Sequence, residues 1–309
     1  MSHNFHSNGK LLLTGEYYVL EGAKALAVPT KFGQSLEITH TAIEANKNPI
    51  LDWESYDVKG EIWLKASFNT EDFKIISASE EGIERLQQIL QSARQQNPSF
   101  LQKQQNTQVK TQLQFARNWG LGSSSTLLSS IAAWAEIDAF KLLENTFGGS
   151  GYDIACAESD KAILFQKKPT LQSQKINFIP PFHEQLYFVH LGKKQNSREG
   201  IRHFYEQDAT TRQNVILTLN EITKRILKVE TLAAFETLLQ THEQIIADNL
   251  QLQKVKNLYF EDYWGTVKSL GAWGGDFVLA TSNLPEKETF GYFEGKGFGT
   301  VLKYSEMVL

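Results

Sequence analysis

Between residues 107 and 143 the sequence changes its hydrophobic period across a single short junction. Val109, Thr111, Leu113 and Phe115 alternate along one face as a strand requires, and residues 126–143 form a long apolar-rich run suited to a helix. Gly120-Leu121-Gly122-Ser123-Ser124-Ser125 joins them. Strand, glycine and serine loop, then helix commits the chain to a mixed architecture. Both periods recur elsewhere. Residues 9–30 read as two strands with a polar turn at Glu21-Gly22, and strand-like pieces follow at 35–39, 50–53 and 61–65. Ile83, Leu86, Ile89 and Leu90 sit at helical spacing until Asn97-Pro98 stops them. The glutamine-rich stretch 87–114 reads as a solvated helix face and loop. Further strands are expected at 162–166, 185–191, 277–281 and 299–304, with helices over 197–208, 212–228 and 232–250. There is no regular βαβ rhythm and no internal repeat, so the fold class is α+β. Residues 167–181 hold three of the seven prolines and little periodicity, which predicts a division into domains 1–180 and 181–309.

Composition narrows the function classes. The chain has 309 residues, 41% hydrophobic and 21% charged, enough to bury the cores of two ordinary domains. Lys plus Arg number 31 and Asp plus Glu 35, a net charge of −4, so no global basic field favours nucleic acid or an anionic membrane. The single cysteine, Cys156, excludes an intramolecular disulfide framework and a thiolate-rich zinc site. The first ten residues are polar, and no run approaches the roughly 18 apolar residues of a membrane span, so a soluble cytoplasmic protein is expected. Nothing in the sequence fixes an oligomeric state.

Three glycine-rich loops are the informative features. Residues 120–125 open a helix, whose N-terminus presents unpaired N–H groups and the positive end of the dipole. Glycines admit a ligand to the backbone and serine hydroxyls bind phosphate or Mg²⁺, so this loop reads as an anion site for a nucleotide's phosphates. Read alone, it serves equally as a turn with Ser125 or a neighbour as helix cap. No Walker A pattern occurs, and Ser125 stands where the dinucleotide fingerprint has its third glycine. In Gly148-Gly149-Ser150-Gly151-Tyr152-Asp153 the carboxylate is a general base, a hydroxyl-orienting group or a turn residue. Gly271-Ala272-Trp273-Gly274-Gly275-Asp276 is a close approach to a ligand or a turn before a strand. Lys10, a cation in apolar company, snorkels at a strand end or meets an anion. His242-Glu243 begins an H-E-x-x-H pattern that Ile246 breaks, and the histidines read as surface or satisfied residues.

Taken in order, these segments resemble the motifs of the GHMP small-molecule kinases. Gly9-Lys10-Leu11-Leu12-Leu13-Thr14-Gly15-Glu16-Tyr17-Tyr18-Val19-Leu20-Glu21-Gly22 is similar to the first family motif of mevalonate-type members. Residues 120–125 resemble the phosphate loop, which the family commonly writes Gly-Leu-Gly-Ser-Ser-Ala. Gly149-Ser150-Gly151-Tyr152-Asp153-Ile154-Ala155 resembles the segment with the catalytic Asp, and Lys268-Ser269-Leu270-Gly271-Ala272-Trp273-Gly274-Gly275 the third motif. The resemblance implies a ribosomal-protein-S5-like N-terminal domain, a ferredoxin-like C-terminal domain, and ATP with Mg²⁺ as cofactors. It implies phosphorylation of a hydroxyl or phosphate group on a mevalonate-route metabolite. Neighbouring alternatives are a sugar or amino-alcohol kinase and a nucleotide-binding protein without turnover.

Carried over by motif, Asp153 takes or orients the acceptor's proton with Lys10 beside it, and Gly120, Leu121, Gly122, Ser123, Ser124 and Ser125 wrap the phosphates. Ser124 is the Mg²⁺ ligand implied by the motif, with Glu144 the nearest candidate for a second, off the family's register. Glu16, Ser150, Gly151, Tyr152, Gly271 and Ala272 are expected to line the acceptor pocket. Ser197 and Arg198, with Lys193 and Lys194 upstream, would suit an anionic acceptor or simply form a solvated charged loop. The departures are Trp273, where a small residue is usual, and Asp276, where a small or apolar one is; Arg117, upstream of the phosphate loop, could contact phosphate.

Overall fold

The structure is a computed structural model that describes residues 2–43, 47–78, 82–192, 198–271, 273 and 275–309, with the backbone alone for 198–200. Packing gathers the chain into two compact units, one of Met1–Gly9, Phe32–Arg117 and Gly122–Glu158, the other of Lys10–Lys31, Asn118–Leu121 and Ser159–Leu309. A single division near residue 180 differs from this, because the chain passes between units within strands and within the 120–125 loop.

The first unit holds most of strands β1 (Ser2–Leu12) and β2 (Ala25–Thr41), then β3 (Ile50–Tyr56), β4 (Ile62–Asn69), β5 (Ile75–Ala78), helix α1 (Ile83–Gln96), β6 (Asn106–Leu113), and helices α2 (Ser123–Ala135), α3 (Ala139–Thr146) and α4 (Tyr152–Ala157). Its strands run in the order β5-β4-β3-β6-β2, with β1 also on β2; β3 and β6 pair in parallel and the other registered pairs are antiparallel. Trp53, Phe68 and Val109 point from this sheet into a core that α1, α2 and α3 close with Leu90, Leu128, Ile131 and Leu142.

In the second unit, residues 25–27 of β2 pair antiparallel with β7 (Ile163–Gln166), which pairs with β8 (Gln172–Lys175). A second, antiparallel sheet follows from β9 (Leu186–His190), with helices α5 (Arg198–Glu206), α6 (Ala209–Ile226), α7 (Leu232–Leu250) and α8 (Val255–Tyr259) next in the chain. Strands β10 (Val267–Ser269) and β11 (Phe277–Thr281), helix α9 (Glu286–Gly295), β12 (Val301–Lys303) and α10 (Tyr304–Met307) complete it, in the strand order β10-β11-β9-β12. No helix among the described residues is long and apolar enough to cross a membrane.

Two sequence expectations are corrected. Residues 126–143 do not form one helix: Glu136 turns left-handed at φ 55° and the Asp138 side chain accepts the amide hydrogens of Phe140 and Lys141, starting a new helix. Tyr17 and Val19 are not in a strand. Tyr17 has φ 62° and residues 18–21 close a 3₁₀ turn, so β1 and β2 are joined by a tight loop in which side-chain alternation carries no meaning. Strands β5 and β10 and helix α9 lie in segments too short or too weakly periodic to have been expected, as does the polar beginning of β1.

Candidate functional site

In the first unit, the chain enters α2 through Gly122, whose φ of 90° a side chain would resist. The N-cap is Gly122 itself, which has no side chain to cap the helix. The Ser125 hydroxyl instead donates to the Gly122 carbonyl at 2.8 Å, and Thr126 Oγ1 bonds Gln34 Oε1 at 2.7 Å. The cap alternative for Ser125 is thereby answered: its oxygen serves a carbonyl, leaving the first-turn amides of α2 uncapped by it. Ser124 is exposed on that turn. Asp153 lies half-buried in the first turn of α4, and its Oδ1 accepts the Ile154 N–H at 3.1 Å. Ile154, fully buried against the core that also takes Leu142 and Leu143, fixes α4 in place. Ser150 and Gly151 are buried and Tyr152 half-buried beside Asp153. A Cβ on Gly151 would come within 3.0 Å of the Phe140 ring. Glu144 stands exposed on α3. The Arg117 guanidinium stacks over the Trp63 ring at 4.0 Å.

In the second unit, Lys10 holds the start of the 120–125 loop twice. Its N–H donates to Leu121 O at 2.9 Å and its Nζ to Gly120 O at 2.7 Å. Gly120 has φ 65°, and a Cβ there would fall on the Asp276 carboxyl group. His190 Nε2 lies 3.0 Å from Asn118 O, and Trp119 packs edge-on against Phe277. Residues 118–121 are thus clamped from three sides, and Asp276 puts a carboxylate beside the first glycine. The third motif's Gly271 has φ 57°. Trp273 does not fill an open pocket: its ring is buried in a cluster with Tyr17, Tyr18 and Phe204, and its Nε1 donates to Gln253 O at 2.8 Å. Ser197 and Ala272 lie outside the described residues, as does the side chain of Arg198.

Glu16 is fully buried and ion-paired with the equally buried Lys268. His242 and Glu243, buried on α7, complete the cluster. Gly15 N–H donates to His242 Nε2 at 3.0 Å, and Ser269 N–H to Glu243 Oε1 at 2.8 Å. Burial pushes the Glu16 carboxyl up while Lys268 pulls it down; burial and then the Lys268 charge hold His242 well below its ordinary value; burial raises Glu243. Sequence reading missed this cluster. The available signal was helical phase, since His242 shares its face with Leu238, Leu239 and Ile246.

The donors present suit ATP with Mg²⁺. A helix N-terminus with glycine at its N-cap and a second left-handed glycine before it fits phosphate oxygens. Among the described residues no three His, Cys, Asp or Glu side chains could hold a metal on their own.

No family model matches the sequence, and no curated protein sequence matches it. Solved structures do match in fold. A mevalonate kinase from Methanococcus jannaschii superimposes with a TM-score of 0.71 at 13% identity, over 98% of this chain and 97% of that one. A Streptococcus pneumoniae phosphomevalonate kinase, in complex with phosphomevalonate and AMPPNP, gives 0.68 at 15% identity over 97% and 99%. A Lactococcus lactis galactokinase complexed with galactose gives 0.70 at 13% identity over 100% and 93%. These three are GHMP kinases, and the likeness runs nearly end to end in each. The chain has the α+β fold of the GHMP kinases.

Proposed function

We propose that the protein is an ATP- and Mg²⁺-dependent kinase that phosphorylates a small anionic acceptor of the mevalonate route, mevalonate or phosphomevalonate. The observation that carries the reading is the 120–125 loop, with left-handed Gly120 and Gly122, the latter the N-cap of α2, and Lys10 bonded at its start. Phosphoryl transfer passes through a loose transition state, so positioning and charge stabilisation outweigh strong base catalysis. In this reading residues 120–125 take the phosphates, Lys10 stabilises charge on the transferred group, and Asp153 orients the acceptor hydroxyl. Ser124 supplies a hydroxyl to Mg²⁺, and Glu144 is the carboxylate proposed as its second ligand. Ser150, Gly151, Tyr152, Gly271, Ala272, Ser197 and Arg198 are proposed to shape the acceptor side, with Glu16 supporting it from within. The burial of Trp273 removes one objection to turnover, because its ring is taken up by the core.

The test is ADP release with Mg²⁺-ATP against mevalonate, phosphomevalonate, diphosphomevalonate, galactose and homoserine. Turnover with either of the first two bears the proposal out. Turnover with galactose or homoserine alone moves the acceptor to a sugar or amino alcohol. ATP binding with no ADP from any of the five overturns the proposed activity.

A further inference from the structure

The buried cluster of the second unit forms a closed ring. Gly15 N–H donates to His242 on α7; the next residue on α7, Glu243, accepts from Ser269 N–H; the residue before Ser269, Lys268, pairs with Glu16; and Glu16 follows Gly15. Three covalent neighbours and three polar links thus alternate around the ring. The Lys268 ammonium also donates to Ser269 O at 2.9 Å. Two of the three segments run directly into motif loops. Lys10 lies five residues before Gly15, and Gly271 two residues after Ser269.

We propose that Glu16, Lys268, His242 and Glu243 form a buried latch that keeps the Lys10 segment and the Gly271 loop in one register, and that all four are positioning residues for the phosphoryl transfer proposed above.

Stability alone does not account for such a device. A buried ion pair contributes little beyond what apolar side chains of the same volume would, whereas it does fix which segment faces which. The ring also dictates a tautomer. Because Nε2 accepts the Gly15 N–H, neutral His242 carries its proton on Nδ1. Burial and the Lys268 charge, by disfavouring the imidazolium, keep that acceptor in place at neutral pH. A ring of links differs from a row of them, since displacing one segment strains both others. Loosening at Gly15 should therefore be felt at Ser269, although Gly15 and Ser269 do not bond each other. The neighbouring Thr223 hydroxyl offers a control. It donates to Thr14 Oγ1 at 3.0 Å, holding the same loop from outside the ring.

The latch rests on the kinase reading for its purpose, and its test separates the two. Amide hydrogen exchange on the full-length protein reads Gly15 and Ser269 without any activity. In His242→Leu both amides should exchange at least about tenfold faster, because local opening then costs less. His242→Gln, whose amide oxygen can accept the Gly15 N–H, should return both to within about threefold of wild type. Thr223→Val should leave Ser269 unchanged. Should His242→Leu not fold, Glu243→Leu serves in its place, with faster exchange then expected at Gly15, which Glu243 does not touch. Release confined to the amide next to the substitution would overturn the latch.

With the acceptor that the wild type uses, His242→Leu should lower kcat by about 10–100-fold, the scale of a misplaced catalytic group, and change KM for ATP by less than about threefold. His242→Gln should recover kcat. Unchanged kcat in a variant whose two amides are released would overturn the positioning role. A wild type inert toward every acceptor would overturn the kinase reading, and the exchange measurement would still decide the latch.

Discussion

Removing Lys268 while leaving Glu16 isolates the energetics of the buried cluster. In Lys268→Met the Glu16 carboxylate stays fully buried without its cation, and the nearest alternative, His242, has its Nε2 committed to Gly15. The cheapest accommodation is for Glu16 to take up a proton. Burial already raises its pKa above the ordinary 4.5, and losing Lys268 removes the largest influence that lowers it. The sign follows from linkage. A folded pKa raised above the unfolded one means that the folded variant binds a proton the unfolded chain does not, so stability lost at neutral pH returns as pH falls toward 4.5. Holding a carboxyl protonated at pH 7 against a free value of 4.5 costs about 3.4 kcal/mol, falling to about 1.4 kcal/mol at pH 5.5. The first figure lies within the roughly 3–5 kcal/mol expected when one partner of a buried pair is deleted. Urea unfolding followed by tryptophan fluorescence at both pH values, always as the difference from wild type, cancels the titrating groups that Lys268 does not reach. Glu16→Leu/Lys268→Met removes both charges and should be about as stable as wild type at pH 7. A Lys268→Met deficit that is equal at the two pH values, or below about 1 kcal/mol at pH 7, would refute a buried, paired Glu16.

The remaining predictions concern the proposed chemistry. Asp153→Asn should lower kcat by about 10²–10⁴ with nucleotide affinity retained, measured by ADP release and by calorimetric titration with an ATP analogue; turnover near wild type removes Asp153 from the chemistry. Gly120→Ala must place a methyl group where the Asp276 carboxyl sits, at a φ that disfavours alanine, so ATP affinity should fall by about tenfold or more. Asp276→Gly in that background should recover part of it, and a double variant no better than the single one would show that the collision is not the cause. Ser124→Ala should raise the Mg²⁺ concentration needed for half-maximal turnover with little effect at saturating metal, and an unchanged Mg²⁺ titration excludes the hydroxyl as a ligand.

What could be read from the sequence was what the backbone decides locally. Gly120 and Gly122 mark a loop before a helix by their identity alone, and in the structure both are left-handed there. Residues 83–96 and 232–250 are helical because their apolar period is sustained and their ends are marked, by Asn97-Pro98 in one case and by the Thr231 cap in the other. Expectations failed where a local signal had a second meaning. The apolar run from 126 to 143 looked continuous because the break at Glu136 interrupts the helix without interrupting the hydrophobicity. Tyr17 and Val19 alternate like strand residues, yet they are buried in a 3₁₀ turn closed by backbone bonds, beside Glu16, which pairs with Lys268, 252 positions away.

That distance separates the two kinds of site residue in this protein. Residues proposed to meet ligand sit in loops whose conformation demands particular amino acids, so a short window exposes them. The residues that hold those loops have no such local requirement. Lys268 is the middle residue of a three-residue strand, and His242 and Glu243 sit inside an ordinary amphipathic helix. Only burial distinguishes them, since a charged or ionisable side chain with no access to water must have a partner, and the partner is chosen by the fold. The broken H-E-x-x-H pattern at His242 fell on two ionisable residues that the fold buries. Its metal-ligand spacing was accidental, but two consecutive ionisable groups in phase with Leu238, Leu239 and Ile246 could not both have faced solvent. Helical phase, applied to the polar residues of a helix as strictly as to its apolar ones, is the sequence-level argument that would have marked this buried pair on α7.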